Sequence, residues 1–117
     1  MKKVIITGGA GFIGSNLATR LLYEIIDKLL IIDDLSTGTE SNLKNILLDQ
    51  KVDFINSKIE DIEDLNAVFD GYDFCYHLAA GVGVQYIMDN LSESLLTNIL
   101  ATHKVLGVCQ DRDIPVL

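Results

Sequence analysis

Apolar positions along the chain follow two alternating rhythms. Val4 to Thr7 is a short, nearly continuous apolar run, the pattern of a strand covered on both faces. From Phe12 onward the spacing changes, and Ile13, Leu17, Leu21 and Leu22 recur at helical intervals. A second buried strand is predicted over Leu29 to Ile32, ending in Asp33-Asp34. "LSTGTESN" reads as a loop, Asn42 to Leu48 as a short helix, and Val52 to Asn56 as a third strand. Asp61 to Phe69 places Ile62, Leu65, Val68 and Phe69 on one helical face, and Phe74 to Leu78 follows the Asp70-Gly71 turn as a fourth strand. A long helix is expected to start near "NLSE", where Asn90 and Glu93 have capping-box spacing, and to run through Cys109. The closing "IPVL" begins a fifth strand, with Pro115 tolerated near its start.

Strands alternating with helices imply right-handed crossovers and an α/β fold: a doubly wound parallel sheet of Rossmann type, order 3-2-1-4-5. Residues 1–117 form one domain on this reading, with no repeat or linker. Ligands of such sheets bind at the carboxyl ends of the strands, where the strand order reverses. Here that point lies between the first and fourth strands, so "TGGAGFIG" and "HLAAG" leave the sheet into one crevice.

The first of these segments carries the clearest chemistry. Gly9, Gly11 and Gly14 satisfy G-x-G-x-x-G, and Gly8, Gly11 and Gly14 satisfy a G-x-x-G-x-x-G variant, between a strand and a helix. Such glycines permit a tight turn and close backbone approach, so that free amides at the helix start can hold a pyrophosphate. No Lys-Ser/Thr pair follows the last glycine, which argues against a P-loop. Asp33 stands 33 − 14 = 19 residues past Gly14, close to the spacing of a ribose-binding acid. A carboxylate there accepts from ribose hydroxyls and repels a 2′-phosphate, so NAD is expected rather than NADP. Asp34 reinforces that preference.

Charge supports backbone rather than side-chain anion binding. Nine basic residues against seventeen acidic ones give a formal charge of −8, which excludes nucleic acid and anionic membranes as main partners. No apolar run is long enough for a membrane span or a signal-peptide core. Cys75 and Cys109 read as reduced core thiols of a cytoplasmic protein. His77, at a strand end, reads as a packed, hydrogen-bonded side chain rather than a base, and no metal site is indicated. The acidic stretch "EDIED" reads as a solvated helix start.

With these motifs in place, "TGGAGFIGSNL", "DDLSTG", "HLAA" and "SLLTNILATHKVL", in that order, resemble the extended short-chain dehydrogenase/reductases that act on nucleotide sugars. "HLAAGVGVQYI" looks most like the UDP-glucose 4-epimerase, UDP-glucuronate decarboxylase and dTDP-glucose 4,6-dehydratase group. The resemblance implies an enzyme that keeps NAD bound, oxidises a sugar hydroxyl and later returns the hydride. It implies that Phe12 and Ile13 flank the pyrophosphate and that Asp33 and Asp34 meet the adenosine ribose, with Ser36, Thr37 and Gly38 in the adjoining loop. Leu78, Ala79 and Ala80 would follow the cofactor toward the nicotinamide, where Asn98 matches a helix asparagine; packing between helix and sheet explains Asn98 equally well. One position departs from the family. Lys58, in "SKIED", stands where an aspartate usually meets the adenine amino group, so adenine recognition would shift to a backbone carbonyl or to Ile59, with Lys58 toward solvent.

The same family performs proton transfer with Tyr-x-x-x-Lys. Tyr23, Tyr72, Tyr76 and Tyr86 are followed four residues later by Asp27, Tyr76, Ala80 and Asn90, so the pair is absent. The chain therefore reads as the N-terminal part of a longer enzyme, expected to bind NAD without catalysis and to self-associate through its open fifth-strand edge. A non-catalytic dinucleotide sensor or scaffold is the alternative, and a steroid- or flavonoid-type reductase of the same superfamily a weaker one.

Overall fold

The computed structural model describes residues 2–24, 26–79 and 91–117. Strands β1 (Lys3–Thr7), β2 (Lys28–Asp33), β3 (Val52–Asn56) and β4 (Phe74–His77) form one sheet in the order β3-β2-β1-β4. Every pairing is parallel, with Ile5 opposite Leu30 on one side and Cys75 on the other, and Asp33 opposite Asn56. Helices α1 (Phe12–Leu22), α2 (Leu65–Phe69) and α3 (Leu91–Asp111) are the α-helices among the described residues.

The apolar runs are continuous because both sheet faces are covered. Ile5, Leu30 and Ile32 point into a core with Phe69 of α2 and Val105 and Val108 of α3. Val4, Ile6, Leu29 and Ile31 point the other way, against Ala18 of α1 and against Leu43 and Ile46. Pleat alternation thus sends neighbouring residues into two separate cores.

The predicted fifth strand is present only in outline. Cys75 forms a single parallel bridge to Val116. Around it, Cys75 N–H donates to the Pro115 carbonyl (3.0 Å) and His77 N–H to the Leu117 carbonyl (2.8 Å). The segment therefore lies outside β4, the place expected from a 3-2-1-4-5 order.

Two predicted helices need correction. Residues 42–48 are not one helix; 3₁₀ turns cover Glu40–Leu43 and Ile46–Leu48. Only Leu43 and Ile46 are buried deeply, so two anchors hold short turns and no amphipathic face is long enough to sustain an α-helix. Residues 61–69 are also split. A 3₁₀ turn occupies Ile59–Asp61, and α2 starts only at Leu65, where the Asp64 carboxylate accepts from the Ala67 N–H at 3.1 Å. An N-cap acid satisfies an amide left open at the helix start, so Asp64 ends the irregular stretch. Asn90, the expected cap of α3, lies outside the described residues.

Both cysteines are free and buried, and they lie in the same core cluster between β4 and α3. Burial raises both thiol pKa values, which keeps them protonated and unreactive. Along α3, Leu91, Leu95, Ile99 and Leu106 stay exposed on one stripe beside the buried face. Among the described residues, no helix is long and apolar enough to cross a membrane.

Candidate functional site

The crevice is built where β1 and β4 end side by side. Thr7, a buried polar residue closing an apolar strand, ties the two exits together. Its carbonyl accepts from Leu78 N–H (3.0 Å), and its hydroxyl accepts from Ala79 N–H (3.2 Å). The same hydroxyl lies 2.7 Å from His77 Nδ1, and His77 Nε2 lies 3.0 Å from the Thr102 hydroxyl on α3. His77 is therefore a bridge between strand and helix, as its position suggested.

Burial lowers the His77 pKa, so folding favours the neutral ring. The unfolded chain takes up that proton near pH 6.5, before the folded one does. Stability is therefore unaffected by His77 above about pH 6.5 and falls as pH drops below it. Thermal melts between about pH 5 and 8 should show this decline, and it should be shallower in His77→Gln; an equal slope in both proteins would refute the assignment.

The glycine loop has two kinds of glycine. Gly8 has φ +73°, and a Cβ there would meet Ala79 N and Leu78 C at 2.7 Å. A Cβ on Gly14 would fall on the Gly8 carbonyl oxygen, and one on Gly38 would lie 2.6 Å from the Ala10 carbonyl. These three are demanded by the protein's own packing. Gly11 differs: its Cβ would have only an ordinary 3.5 Å contact with the Gly8 oxygen, and its backbone (φ −76°, ψ 176°) suits any residue. Among the described residues no close contact requires glycine at this position, and the missing side chain leaves the space above the helix start open.

Gly11 is also the N-cap of α1 and supplies no side-chain acceptor. The first helical bond runs from Ser15 N–H to the Gly11 carbonyl (3.0 Å), so the Phe12, Ile13 and Gly14 amides precede it. Phe12 and Ile13 are 83% and 70% exposed, an unusual state for large apolar side chains at a loop mouth. An open cradle, orphan amides and the positive end of an eleven-residue helix fit a pyrophosphate.

Asp33 braces this loop. Its Oδ2 accepts from the Ala10 N–H (2.9 Å) and its Oδ1 from the Leu35 N–H (2.8 Å). Leu35 is held at φ +62°, a conformation costly for a leucine, and the Asp33 carboxylate secures it. A carboxylate has about four lone-pair sites, so Asp33 retains acceptor capacity toward the crevice. Asp34 is more exposed and accepts from Ser36 N–H at 3.0 Å. Ser36 and Thr37 are exposed, while Gly38 packs on Ala10 and brings the loop over the glycine turn. Asn42 secures it, donating from Nδ2 to the Ala10 carbonyl at 2.9 Å.

The other expected residues are distributed around this centre. Leu78 and Ala79 line the β4 exit half-buried, and Ala80 lies outside the described residues. Asn98 is half-buried one turn before Thr102, on the side of α3 that faces His77. Ile59 is 4% exposed, with its side chain packed into the core under β2 rather than turned to the crevice. Lys58 is partly exposed, and its Nζ lies 3.6 Å from Glu93 at the start of α3. Thr7, Ala10, Leu35 and Asn42 were not legible as site residues; the only hint was a threonine closing an apolar strand.

Comparison with known proteins agrees with this geometry. The family model described as GDP-mannose 4,6 dehydratase matches residues 5–115. The chain belongs to the GDP-mannose 4,6 dehydratase family. Similar to it is the "uncharacterized UDP-glucose epimerase YtcB" of Bacillus subtilis, 34% identical over 96% of this chain and 37% of the relative. The solved UDP-N-acetylglucosamine 4-epimerase from Methanobrevibacter ruminantium, in complex with UDP-N-acetylmuramic acid, superimposes with a TM-score of 0.86. It is 32% identical over 97% of this chain and 35% of its own. DesIV, the dTDP-glucose 4,6-dehydratase of Streptomyces venezuelae solved with NAD and TYD bound, gives a TM-score of 0.85. Its identity is 28%, over 96% of this chain and 37% of its own. This family member thus spans about a third of the length of such relatives, and the fold is the Rossmann-type sheet that the strand pattern predicted.

Proposed function

We propose that this chain is the NAD-binding portion of a nucleotide-sugar epimerase, decarboxylase or dehydratase, with residues 1–117 as its dinucleotide-binding domain. The observation that carries this reading is Gly11, a glycine that packing among the described residues does not need, at the start of a helix whose first amides have no partner among those residues. Gly8, Gly11, Phe12, Ile13 and Gly14 hold the pyrophosphate, and Asp33 and Asp34 bind the adenosine ribose, with Ser36, Thr37 and Gly38 closing over it. Leu78, Ala79, Ala80 and Asn98 flank the nicotinamide half.

Bound NAD would supply a hydride acceptor for a sugar hydroxyl carbon. The residues of this chain bind and orient; the chain has no Tyr-x-x-x-Lys pair to move the proton. Reduced, buried thiols suit a cytoplasmic setting. The apolar stripe on α3 and the unpaired edge beyond Val116 favour self-association.

The test is direct. Calorimetric titration of the purified chain should show saturable NAD binding, while assays with UDP- and dTDP-sugars show no epimerase, decarboxylase or dehydratase turnover. Light scattering on the same sample should report a species larger than a monomer. Absence of NAD binding would sink the assignment, measurable turnover its non-catalytic part, and a clean monomer its self-association.

A further inference from the structure

The base end of the proposed site contains an unusual arrangement. A dinucleotide with its pyrophosphate at α1 and its ribose at the end of β2 carries its base onward over the end of β3. β3 pairs with β2 up to Asp33 and Asn56, and Ser57 N–H donates to the Asp33 carbonyl at 3.1 Å. Lys58 is the next residue.

Two backbone acceptors at this edge are already engaged. The Lys58 carbonyl receives the Ser57 hydroxyl (2.9 Å) and the Asp61 N–H (3.2 Å), which uses both of its lone pairs. The Glu60 carbonyl receives Lys104 Nζ at 2.8 Å. Ile59 is packed away in the core. The Lys58 carbonyl and the Ile59 side chain are therefore not available to a 6-amino group.

What projects instead is a donor. Lys58 Nζ sits 3.6 Å from Glu93 Oε1, too long for a full hydrogen bond, and one carboxylate oxygen engages at most one of its three N–H groups. The fields of Glu93 first, then Glu60 and Asp34, raise the Lys58 pKa and keep it charged. The Ser57-to-Asp33 hydrogen bond sets Lys58 one residue from the ribose end of the crevice.

We propose that Lys58 is a specificity-determining residue that presents a hydrogen-bond donor to the base, so that the site accepts a purine with an acceptor at its 6-position as readily as adenine. The proposal rests on the dinucleotide reading above. With adenine, the ammonium donates to a ring nitrogen; with a 6-oxo purine, it donates to the oxygen. Removing it leaves Glu93, Glu60 and Asp34, all acceptors, which favour a 6-amino group and repel a 6-oxo group.

The experiment is a binding titration with NAD, nicotinamide hypoxanthine dinucleotide and NADP, on the unaltered chain, Lys58→Met and Lys58→Arg. In the unaltered chain the hypoxanthine form should bind within about threefold of NAD. In Lys58→Met the ratio of the two affinities should shift about tenfold or more toward NAD, the scale of one charge-assisted hydrogen bond. Lys58→Arg should keep the original ratio. Tenfold preference for NAD in the unaltered chain, or an unchanged ratio in Lys58→Met, would overturn the proposal while leaving the NAD assignment standing. NADP binding as tight as NAD, lost selectively in Lys58→Met, would overturn it by making Lys58 a phosphate ligand. Failure of the unaltered chain to bind either NAD or its hypoxanthine form would overturn both readings.

Discussion

Gly11→Val should abolish tight NAD binding and leave the fold unharmed, whereas Gly14→Ala should damage the fold itself. A valine at position 11 is compatible with φ −76° and ψ 176°, and its Cβ would meet only one ordinary contact among the described residues. Its side chain would occupy the space above the first amides of α1 and hold a pyrophosphate away from them. Losing two charge-assisted hydrogen bonds corresponds to about 3 kcal/mol, or roughly a hundredfold weaker binding. Melting temperature should stay within a few degrees. At position 14 even a methyl group falls on the Gly8 carbonyl and lies 2.8 Å from Gly9 Cα. Both neighbours are backbone, so the helix must move off the strand, at a cost of about 3 kcal/mol and roughly 10 °C in melting temperature. Calorimetry with parallel thermal melts checks both halves. A Gly11→Val protein that binds NAD normally would remove the reason for assigning the cradle.

Asp33→Ala should lower stability and cofactor discrimination together. The carboxylate satisfies the Ala10 and Leu35 amides, the first of them through a buried contact. Truncation orphans both and frees Leu35 from its positive φ. Hydrogen bonds to a charged group contribute about 1.5–3 kcal/mol each, so a loss of about 3 kcal/mol or more is expected. The same change removes the charge that repels a 2′-phosphate, and the preference for NAD over NADP should shrink by about tenfold or more. Asp33→Asn retains one carbonyl acceptor and should lose about half as much stability. Melts and paired titrations separate the two effects. An Asp33→Ala protein that melts normally and keeps its NAD-to-NADP ratio would show that the residue neither braces the loop nor selects the cofactor.

Much of this molecule was readable without coordinates. Val4 to Thr7, Leu29 to Ile32 and Val52 to Asn56 have apolar residues at both parities, and only a strand covered on both faces asks for that. The turn from strand to helix at "TGGAGFIG" follows from glycine density and a change of period, and the strand order from the handedness of crossovers. Short helices were less legible. Around Leu43 and Ile46 the apolar spacing matches both one helix and two 3₁₀ turns, and only the depth of the groove beside α1 decides between them.

The sequence by itself determined a doubly wound sheet, a glycine-rich turn from strand to helix and an acid at the end of β2, because each depends on period, local conformation and chain distance. The tertiary structure decided which glycines serve packing, since that depends on atoms from β4 and the β2 loop. It also showed that Asp33 is first a brace for Ala10 and Leu35, and that Cys75 and Cys109 are neighbours. At Lys58 it showed that the residue's own carbonyl is already used. Most of these facts are contacts between residues far apart in the chain, and no local pattern encodes them.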